Sequence, residues 1–131
     1  MILDTEVWWR YLTKGGIPKV TQRRIEQARA SGRLQVAAVT LWEIALLVHE
    51  GKLRIDDAVP KWLHTALARS GTTIAPLEPG AAHEAARLTG TLVPAGCQIV
   101  GTAAHLGVPL VTRDRWTFDC ARKVGIEVLE A

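Results

Sequence analysis

The segment MILD at residues 1–4 is a run of three apolar residues that stops abruptly at an acid. Such a run is typical of a short strand that a parallel sheet buries on both faces. Residues 6–12 then predict a short helix, which ends at Gly15-Gly16. The rest of the chain repeats this alternation of short apolar runs with longer amphipathic segments, which indicates βαβ construction.

The alternation predicts further strands and helices along the whole chain. Strands are expected at residues 34–39, 73–76, 109–112 and 126–129. Helices are expected at residues 18–31, 40–50, 57–70, 79–88, 93–105 and 115–122. Because crossover helices pack on the faces of a parallel sheet, we expect a three-layer α/β sandwich. Its five-stranded, mainly parallel sheet carries helices on both faces, and residues 1–131 form a single domain.

Composition and charge limit the class of protein more than they identify it. Apolar residues make up 48 % and charged residues 22 % of the chain, which is typical of soluble globular domains and excludes disordered and fibrous proteins. The longest apolar stretch, residues 34–48, contains Gln35 and Glu43 and is too short to cross a bilayer. Without a basic leader we expect a cytoplasmic protein that makes no membrane contact, with Cys97 and Cys120 as reduced thiols. The net charge of +3 is compatible with nucleic-acid binding but indicates it only weakly.

Three acids are expected just beyond the ends of predicted strands. Asp4 follows the first strand directly, and Asp114 lies two residues past Thr112, where the fourth strand ends. Glu43 lies one helical turn beyond the second strand. Since the carboxyl ends of parallel strands meet at one edge of a sheet, we expect these carboxylates to lie close together. Clustered carboxylates repel one another unless a cation lies among them, so the pattern predicts a site for Mg²⁺ or Mn²⁺.

Each acid also has a purely structural interpretation. Asp4 and Asp114 are both placed to cap the helix that follows them. The segment TLWE at residues 40–43 fits a capping box, in which the Glu43 carboxylate would accept a bond from the Thr40 amide. A cap can also fix the rotamer of a metal ligand, so the two interpretations are compatible.

Four ordered segments carry a more specific signal than the single acids. They are ILDT at residues 2–5 followed by Val7-Trp8, VTLWEIA at residues 39–45, QIVGTA at residues 98–103, and LVTRD at residues 110–114. In order and spacing they resemble the PIN domains, and within them the VapC-type toxins of bacterial toxin–antitoxin pairs. The resemblance covers nearly the whole chain.

The resemblance implies a flavodoxin-like sheet and a metal-dependent endoribonuclease, usually dimeric. Carried over by position, Asp4, Glu43 and Asp114 are the implied catalytic acids and ligands of Mg²⁺ or Mn²⁺. Candidates for contact with RNA are the two arginines beside the last acid and two neighbouring threonines, namely Arg113, Arg115, Thr5 and Thr112.

The same resemblance implies a protein partner, a small VapB-like antitoxin that neutralises the enzyme. We expect its tail to cross the acidic site, where an Arg or Lys would pair with the carboxylates. The helices at residues 18–31 and 57–70 would form the walls of a groove for this tail, with Trp62 and Leu63 exposed enough to contact apolar side chains.

The chain departs from the family pattern in the segment VPAGCQI at residues 93–99. The family commonly has Asp where this chain has Gly96, and often a second Asp where it has Val93. A two-metal site uses its carboxylates to hold both ions and orient water, so the loss of an acid at Gly96 predicts weaker metal binding and impaired RNA cleavage. Asp119 is the one alternative acid, and its predicted helical position makes it a poor replacement.

Three functions remain open from the sequence. The first is an active ribonuclease toxin, and the second is an inactive PIN protein that binds its antitoxin or RNA. The third is a phosphoacceptor signalling domain, which needs a late lysine at a strand end; no lysine lies between Lys61 and Lys123. The tryptophans that flank the acids, Trp8, Trp9 and Trp42, are expected in the core or at a dimer interface rather than as base-stacking surfaces.

Overall fold

The computed structural model describes residues 1–13 and 15–131, and these form a five-stranded parallel sheet with helices on both faces. The strands are β1 (Ile2–Leu3), β2 (Gln35–Ala37), β3 (Thr73–Ala75), β4 (Leu110–Thr112) and β5 (Val128–Glu130). Their order in the sheet is β3-β2-β1-β4-β5, and all neighbouring pairs are parallel. In the register of the central strand, Leu3 lies beside Val36 on one side and Val111 on the other.

The helices are α1 (Thr5–Thr13), α2 (Lys19–Ala30), α3 (Ala38–His49), α4 (Val59–Ser70), α5 (Pro79–Arg87), α6 (Pro94–Leu106) and α7 (Arg115–Val124). Every predicted strand and helix is present, with boundaries within two residues of the expected ones. Among the described residues, no helix is long and apolar enough to cross a membrane.

Alternate residues of each strand point to opposite faces, and this alternation divides the core into two layers. Leu3, Val36 and Val111 pack on one face with side chains of α1, α2, α3 and α4. Ile2, Ala37 and Leu110 pack on the other face with side chains of α6 and α7. These strand residues are at most 1 % exposed, which confirms the predicted three-layer sandwich. Cys97 and Cys120 are both buried and free, as predicted.

The helix pair α5 and α6 packs closely because of a glycine. A Cβ atom added at Gly101 would lie 2.5 Å from the Ala85 backbone nitrogen and 2.7 Å from its Cα, distances that real Cβ atoms do not show. Only glycine therefore permits this approach of the two backbones. The contact fixes the position of α6, which carries Gly96 in its first turn.

Candidate functional site

The strand order reverses between β1 and β4, and this is where a crevice opens in parallel α/β sheets. From β1 the chain crosses to β2 on one side, and from β4 it crosses to β5 on the other. Asp4 follows β1, and its backbone N–H donates to the Val111 carbonyl at 3.0 Å, extending the pairing with β4 by one residue. Asp114 follows β4, so both acids lie at the carboxyl ends of the two strands that flank the reversal.

A cleft of about 500 Å³ lies at this position, and the three predicted acids line it together. Its walls include Asp4, Thr5, Glu6, Glu43, Gly96 and Asp114. We call it the acidic cleft. The structure therefore places Asp4, Glu43, Asp114 and Gly96 around one space.

Asp4 is only 7 % exposed, and both of its carboxylate oxygens accept hydrogen bonds. Oδ1 accepts from the Val7 backbone N–H at 2.9 Å, so Asp4 caps α1, as its structural interpretation predicted. Oδ2 accepts from the Thr112 hydroxyl. Burial raises the pKa of Asp4 above its usual range, the two hydrogen bonds oppose that rise, and the nearby charges of Glu6 and Glu43 add to it.

Glu43 lies inside α3 and accepts a hydrogen bond from the Thr5 hydroxyl across the cleft floor. The same Thr5 oxygen is 3.1 Å from the Thr40 hydroxyl oxygen. The capping-box alternative is wrong, because α3 begins at Ala38 and Thr40 lies within its first turn rather than at its cap. The carboxylate of Glu43 is thus held by the start of α1, next to Asp4.

Asp114 is the cap of α7, as its structural interpretation predicted. Its Oδ2 accepts from both the backbone N–H and the hydroxyl of Thr117, each at 2.7 Å. Its own backbone N–H donates to the Thr112 hydroxyl oxygen at 3.1 Å. Capping and a role in the cleft coexist here, since the bonds fix the rotamer and Asp114 remains exposed to solvent.

The four candidates for RNA contact differ in what the fold does with them. Thr112 is fully buried and Thr5 is nearly so, and both position acids through their hydroxyls. Arg113 does not line the cleft: its Nε lies 3.9 Å from Oε1 of Glu6, and its guanidinium donates to the Gly16 carbonyl at 3.4 Å. Arg115 is turned along α7, where its Nε lies 3.4 Å from Asp119 Oδ2 and its guanidinium carbon lies 5.5 Å from the centre of the Phe118 ring.

Gly96 lies in the first turn of α6 and faces the acidic cleft. A Cβ atom added there would lie 3.4 Å from Leu92 Cβ and 3.7 Å from Val93 Cγ2, which are ordinary van der Waals contacts. Neither backbone conformation nor packing requires a glycine at this position. Asp119 pairs with Arg115 and does not line the cleft, so it does not stand in for an acid at Gly96.

The donor set does not make a complete site for a divalent cation. Within residues 1–13 and 15–131, no group of three or more His, Cys, Asp or Glu side chains is placed to hold a metal ion. The acids share one cleft, but each already accepts at least one hydrogen bond from the protein. The first turn of α6, with Gly96, contributes no side-chain carboxylate to the cleft.

Sequence reasoning missed an aromatic side chain in the wall of the cleft. Trp116, in the first turn of α7, lines the acidic cleft and is 76 % exposed. The sequence did contain a signal for this position: in the segment RWT at residues 115–117, which follows the capping acid Asp114, an apolar tryptophan lies between two polar residues. Trp8 is fully buried, with its ring centre 6.4 Å from that of Trp62, as predicted for the core, whereas Trp42 is 58 % exposed.

A second cleft, of about 470 Å³, lies between α1, α2 and α4. Its lining includes Arg10, Tyr11, Glu26, Arg29 and Arg69, and we call it the basic groove. The Tyr11 hydroxyl donates to Glu26 Oε1 at 2.6 Å. Burial, followed by this bond to Glu26, raises the pKa of Tyr11 to about 12, so the phenol stays a donor.

The basic groove corrects one expectation about the partner surface. Two of its walls, α2 and α4, are the predicted ones. Trp62 and Leu63 do not line it, because both are half-buried against the core, where the Trp62 ring lies 5.5 Å from that of Trp9. The groove therefore presents three guanidinium groups and the Glu26 carboxylate, with Leu12 and Ile17 as its apolar side chains in place of Trp62 and Leu63.

The chain is similar to one known protein family and to several solved structures. The family model described as PIN domain matches residues 1–122. FitAcB from Neisseria gonorrhoeae is similar in structure, with a TM-score of 0.63 and 18 % identity over 98 % of this chain and 95 % of that chain. DNA-bound VapBC from Salmonella typhimurium has a TM-score of 0.66 and 19 % identity over 98 % of this chain and 96 % of that chain.

A third similar structure is VapBC-5 from Mycobacterium tuberculosis, described as a member of the VapBC family of toxin-antitoxin systems. Its TM-score is 0.57, with 23 % identity over 98 % of this chain and 94 % of that chain. At these identities the likeness shows a shared fold. A comparison with curated protein sequences found no match.

Proposed function

The chain belongs to the PIN domain family, and on that basis we propose that it is a VapC-like toxin of the metal-dependent endoribonuclease class, neutralised by a cognate antitoxin. One observation carries the proposal: Asp4, Glu43, Asp114 and Gly96 line a single cleft at the reversal of strand order. These are the positions at which the chain matches, or departs from, the acidic pattern of the family that it resembles.

The carboxylates of Asp4, Glu43 and Asp114 are held in positions suited to the hydrolysis of a phosphodiester bond. Thr112, Thr5 and Thr117 each hold one carboxylate by a hydroxyl hydrogen bond, which fixes the carboxylate geometry before a substrate arrives. The substrate class we assign is RNA, and Arg113, which lies 3.9 Å from the cleft residue Glu6, is the candidate to pair with a phosphate.

This copy of the enzyme is impaired because of Gly96. Phosphodiester hydrolysis of this class depends on Mg²⁺ or Mn²⁺ held by carboxylates, and the first turn of α6 contributes none. The remaining acids do not form a group that is placed to hold a cation. We therefore expect weak cation binding and little or no RNA cleavage by the chain as it stands.

Cation binding tests this proposal without reference to catalysis. Isothermal titration with Mn²⁺ is expected to show weak binding to the wild-type chain, tighter binding to Gly96→Asp, and no gain for Gly96→Ala, the control for a side chain without oxygen. Tight binding by the wild-type chain would overturn the claim of impairment. Binding that Asp4→Asn leaves unchanged would overturn the placement of the cation site.

The alternative function is a PIN protein that binds its partner or RNA without cleaving. The observation in its favour is that no group of metal-binding side chains forms among residues 1–13 and 15–131. The variant Gly96→Asp distinguishes the two functions. An impaired enzyme is expected to cleave RNA once an acid is present at this position. A protein that only binds is expected to remain inactive.

We assign the basic groove and the acidic cleft to the same protein partner. Similar structures include DNA-bound VapBC and a member of the VapBC family of toxin-antitoxin systems. A peptide segment with acidic side chains suits Arg10, Arg29 and Arg69, and an Arg or Lys of the same partner suits the acidic cleft. The partner chemistry is therefore an antitoxin segment that carries both charges.

We further propose that the chain acts as a cytoplasmic homodimer. The exposed indole of Trp42 on α3, outside both clefts, supports a contact between copies. Light scattering of the purified chain and of Trp42→Ala measures this directly. A monomer at all concentrations would contradict it.

A further inference from the structure

We propose that the acidic cleft binds a protein segment in which a bulky apolar side chain lies close to a cationic one. The apolar side chain contacts Trp116 and Val93, while the cation pairs with the carboxylates of the cleft. This inference rests on the proposed function, which assigns an Arg or Lys of the partner to the cleft. It adds an apolar anchor beside that cation and names the residues that bind the anchor.

The first observation is the charge of the cleft. Its lining includes four carboxylates, those of Asp4, Glu6, Glu43 and Asp114, and no Lys, Arg or His among the described residues. Of the four, only Glu6 forms ion pairs within residues 1–13 and 15–131. The other three accept hydrogen bonds from neutral hydroxyl and backbone N–H groups. A cationic side chain of a partner can therefore pair with carboxylates that have no cation beside them.

The second observation is that the cleft also has exposed apolar surface. Trp116 is 76 % exposed and Val93 is 71 % exposed, and both line the cleft together with Leu92 and Ile99. Gly96 leaves this surface uncovered, since a Cβ added there would lie 3.4 Å from Leu92 Cβ and 3.7 Å from Val93 Cγ2. Covering such surface with an apolar side chain is favourable, and apolar anchors in pockets contribute much of the affinity of protein interfaces.

These two observations together favour a protein segment over RNA. The nearest arginines along the chain are engaged outside the cleft: Arg113 donates to the Gly16 carbonyl at 3.4 Å, and Arg115 Nε lies 3.4 Å from Asp119 Oδ2. Sites for single-stranded nucleic acid combine aromatic rings with cationic groups, and this cleft has the ring without the cation. RNA phosphates need bound cations to approach these carboxylates, whereas a protein segment carries its own positive charge.

A second copy of the chain fits the cleft less well than a different polypeptide. In a two-fold symmetric dimer, the same surface patch of both copies lies at the interface. A dimer centred on the acidic cleft would bring the carboxylates of one copy against those of the other, and like charges repel. The exposed Trp42, which we assign to contact between copies, lies outside the cleft.

Peptide binding by the full chain tests the inference. Three fluorescently labelled peptides share Gly and Ser flanks and differ in a core of leucine–glycine–arginine, alanine–glycine–arginine or leucine–glycine–glutamine. In an extended peptide the first and third residues of this core lie on the same side. By fluorescence anisotropy, wild type is expected to bind the leucine–arginine peptide on the order of 10-fold more tightly than either of the others.

Variants of the chain assign each part of that affinity to a residue. Trp116→Ala is expected to remove the advantage of leucine over alanine and to leave the affinity for the alanine–arginine peptide unchanged, which a double-mutant cycle measures. Asp114→Asn is expected to weaken both arginine peptides by the same factor. Val20→Ala, at an exposed apolar residue on α2 outside the cleft, is the control and should bind all three peptides as wild type does. Circular dichroism verifies that each variant is folded.

Equal affinity of wild type for the leucine and alanine peptides, or a leucine advantage that persists in Trp116→Ala, would overturn the inference and leave the proposed function intact. If wild type bound the arginine peptides no more tightly than the glutamine peptide, the assignment of a cationic partner to the cleft would be overturned as well.

Two other occupants of the Trp116 surface are outcomes of the same experiments. Weaker binding of a labelled single-stranded RNA by Trp116→Ala, with unchanged peptide binding, would indicate a nucleobase. A change from dimer to monomer in Trp116→Ala, measured by light scattering, would indicate a second copy of the chain. Either result would overturn the inference.

Discussion

The hydroxyl of Thr112 connects two acids that follow neighbouring strands: it donates to Asp4 Oδ2 and accepts from the backbone N–H of Asp114 at 3.1 Å. Thr112 is the last residue of β4 and is fully buried. One hydroxyl thus fixes the Asp4 carboxylate and the start of the turn that carries Asp114. The geometry of the acidic cleft therefore depends on a side chain that is itself buried.

Replacement of Thr112 by valine, which has nearly the same shape, removes this connection. We expect Thr112→Val to lower the free energy of unfolding by about 1–3 kcal/mol, because a buried hydrogen bond to a charged group is lost. The pKa of Asp4 should rise further, since the bond from Thr112 opposes the effect of burial. Urea denaturation measures the first effect, and Thr112→Ser, which keeps the hydroxyl, is the control. A valine variant more stable than the serine variant would contradict this role.

Asp4→Asn is expected to stabilise the protein at neutral pH. Because burial raises the pKa of Asp4 above 3.8 in the folded state, the wild-type chain loses stability as the pH rises from 3.8 through that raised value. Asparagine has no charge to bury and can still cap α1. Thermal denaturation should show a gain of roughly a few degrees at pH 7 that disappears below about pH 3.8. A gain that is the same at pH 3 and pH 7 would show that charge burial is not its cause.

Substitution of alanine at two glycines of α6 should have different effects on the free energy of unfolding. Gly101→Ala places a Cβ against the Ala85 backbone and should lower the free energy of unfolding by about 1–3 kcal/mol, the usual cost of overpacking. Gly96→Ala has room and should be neutral or stabilise by up to about 1 kcal/mol. Urea denaturation of both variants measures these free energies of unfolding. Strong destabilisation by Gly96→Ala would mean that Gly96 is retained for packing.

Charge changes in the two clefts should weaken antitoxin binding independently. With a VapB-like antitoxin identified by co-purification, Arg69→Glu in the basic groove and Asp114→Asn in the acidic cleft should each reduce affinity on the order of 10-fold. Arg122→Glu, an exposed arginine on α7 outside both clefts, is the matched control. Surface plasmon resonance gives the affinities. Binding indifferent to Asp4→Asn and Asp114→Asn would mean that the acids do not anchor the partner.

The sheet and the acids at its edge could be predicted from the sequence because the signals are local. Asp4 directly follows the apolar run of residues 1–3, Asp114 lies three residues past the apolar pair Leu110-Val111, and parallel strands of this kind end at one edge. The start of α3 is predicted two residues too late, because the apolar residues around Val39 fit both a strand and a helix. In the structure Val39 is part of α3, so Thr40 lies inside the helix and not at its cap.

The partners of the acids could not be predicted, because they join distant parts of the chain. Glu43 is bonded by Thr5 and Asp4 by Thr112, and nothing in the local sequence indicates these pairs. The position of Trp116 in the cleft wall depends on the direction in which α7 leaves β4, which tertiary packing determines. The same holds for Trp62, whose ring packs between α1 and α4 rather than facing a groove.

The most direct test of the account is RNA cleavage by the wild-type chain and by Gly96→Asp across a titration of Mg²⁺ or Mn²⁺, with Gly96→Ala as control. Little or no cleavage is expected from wild type and Gly96→Ala, and substantial cation-dependent cleavage is expected from Gly96→Asp, which Asp4→Asn should abolish. The added carboxylate has room in the first turn of α6, so the variant should fold as the wild type does. Equal cleavage by wild type and Gly96→Asp at every cation concentration would show that the absence of a carboxylate at Gly96 does not impair the enzyme.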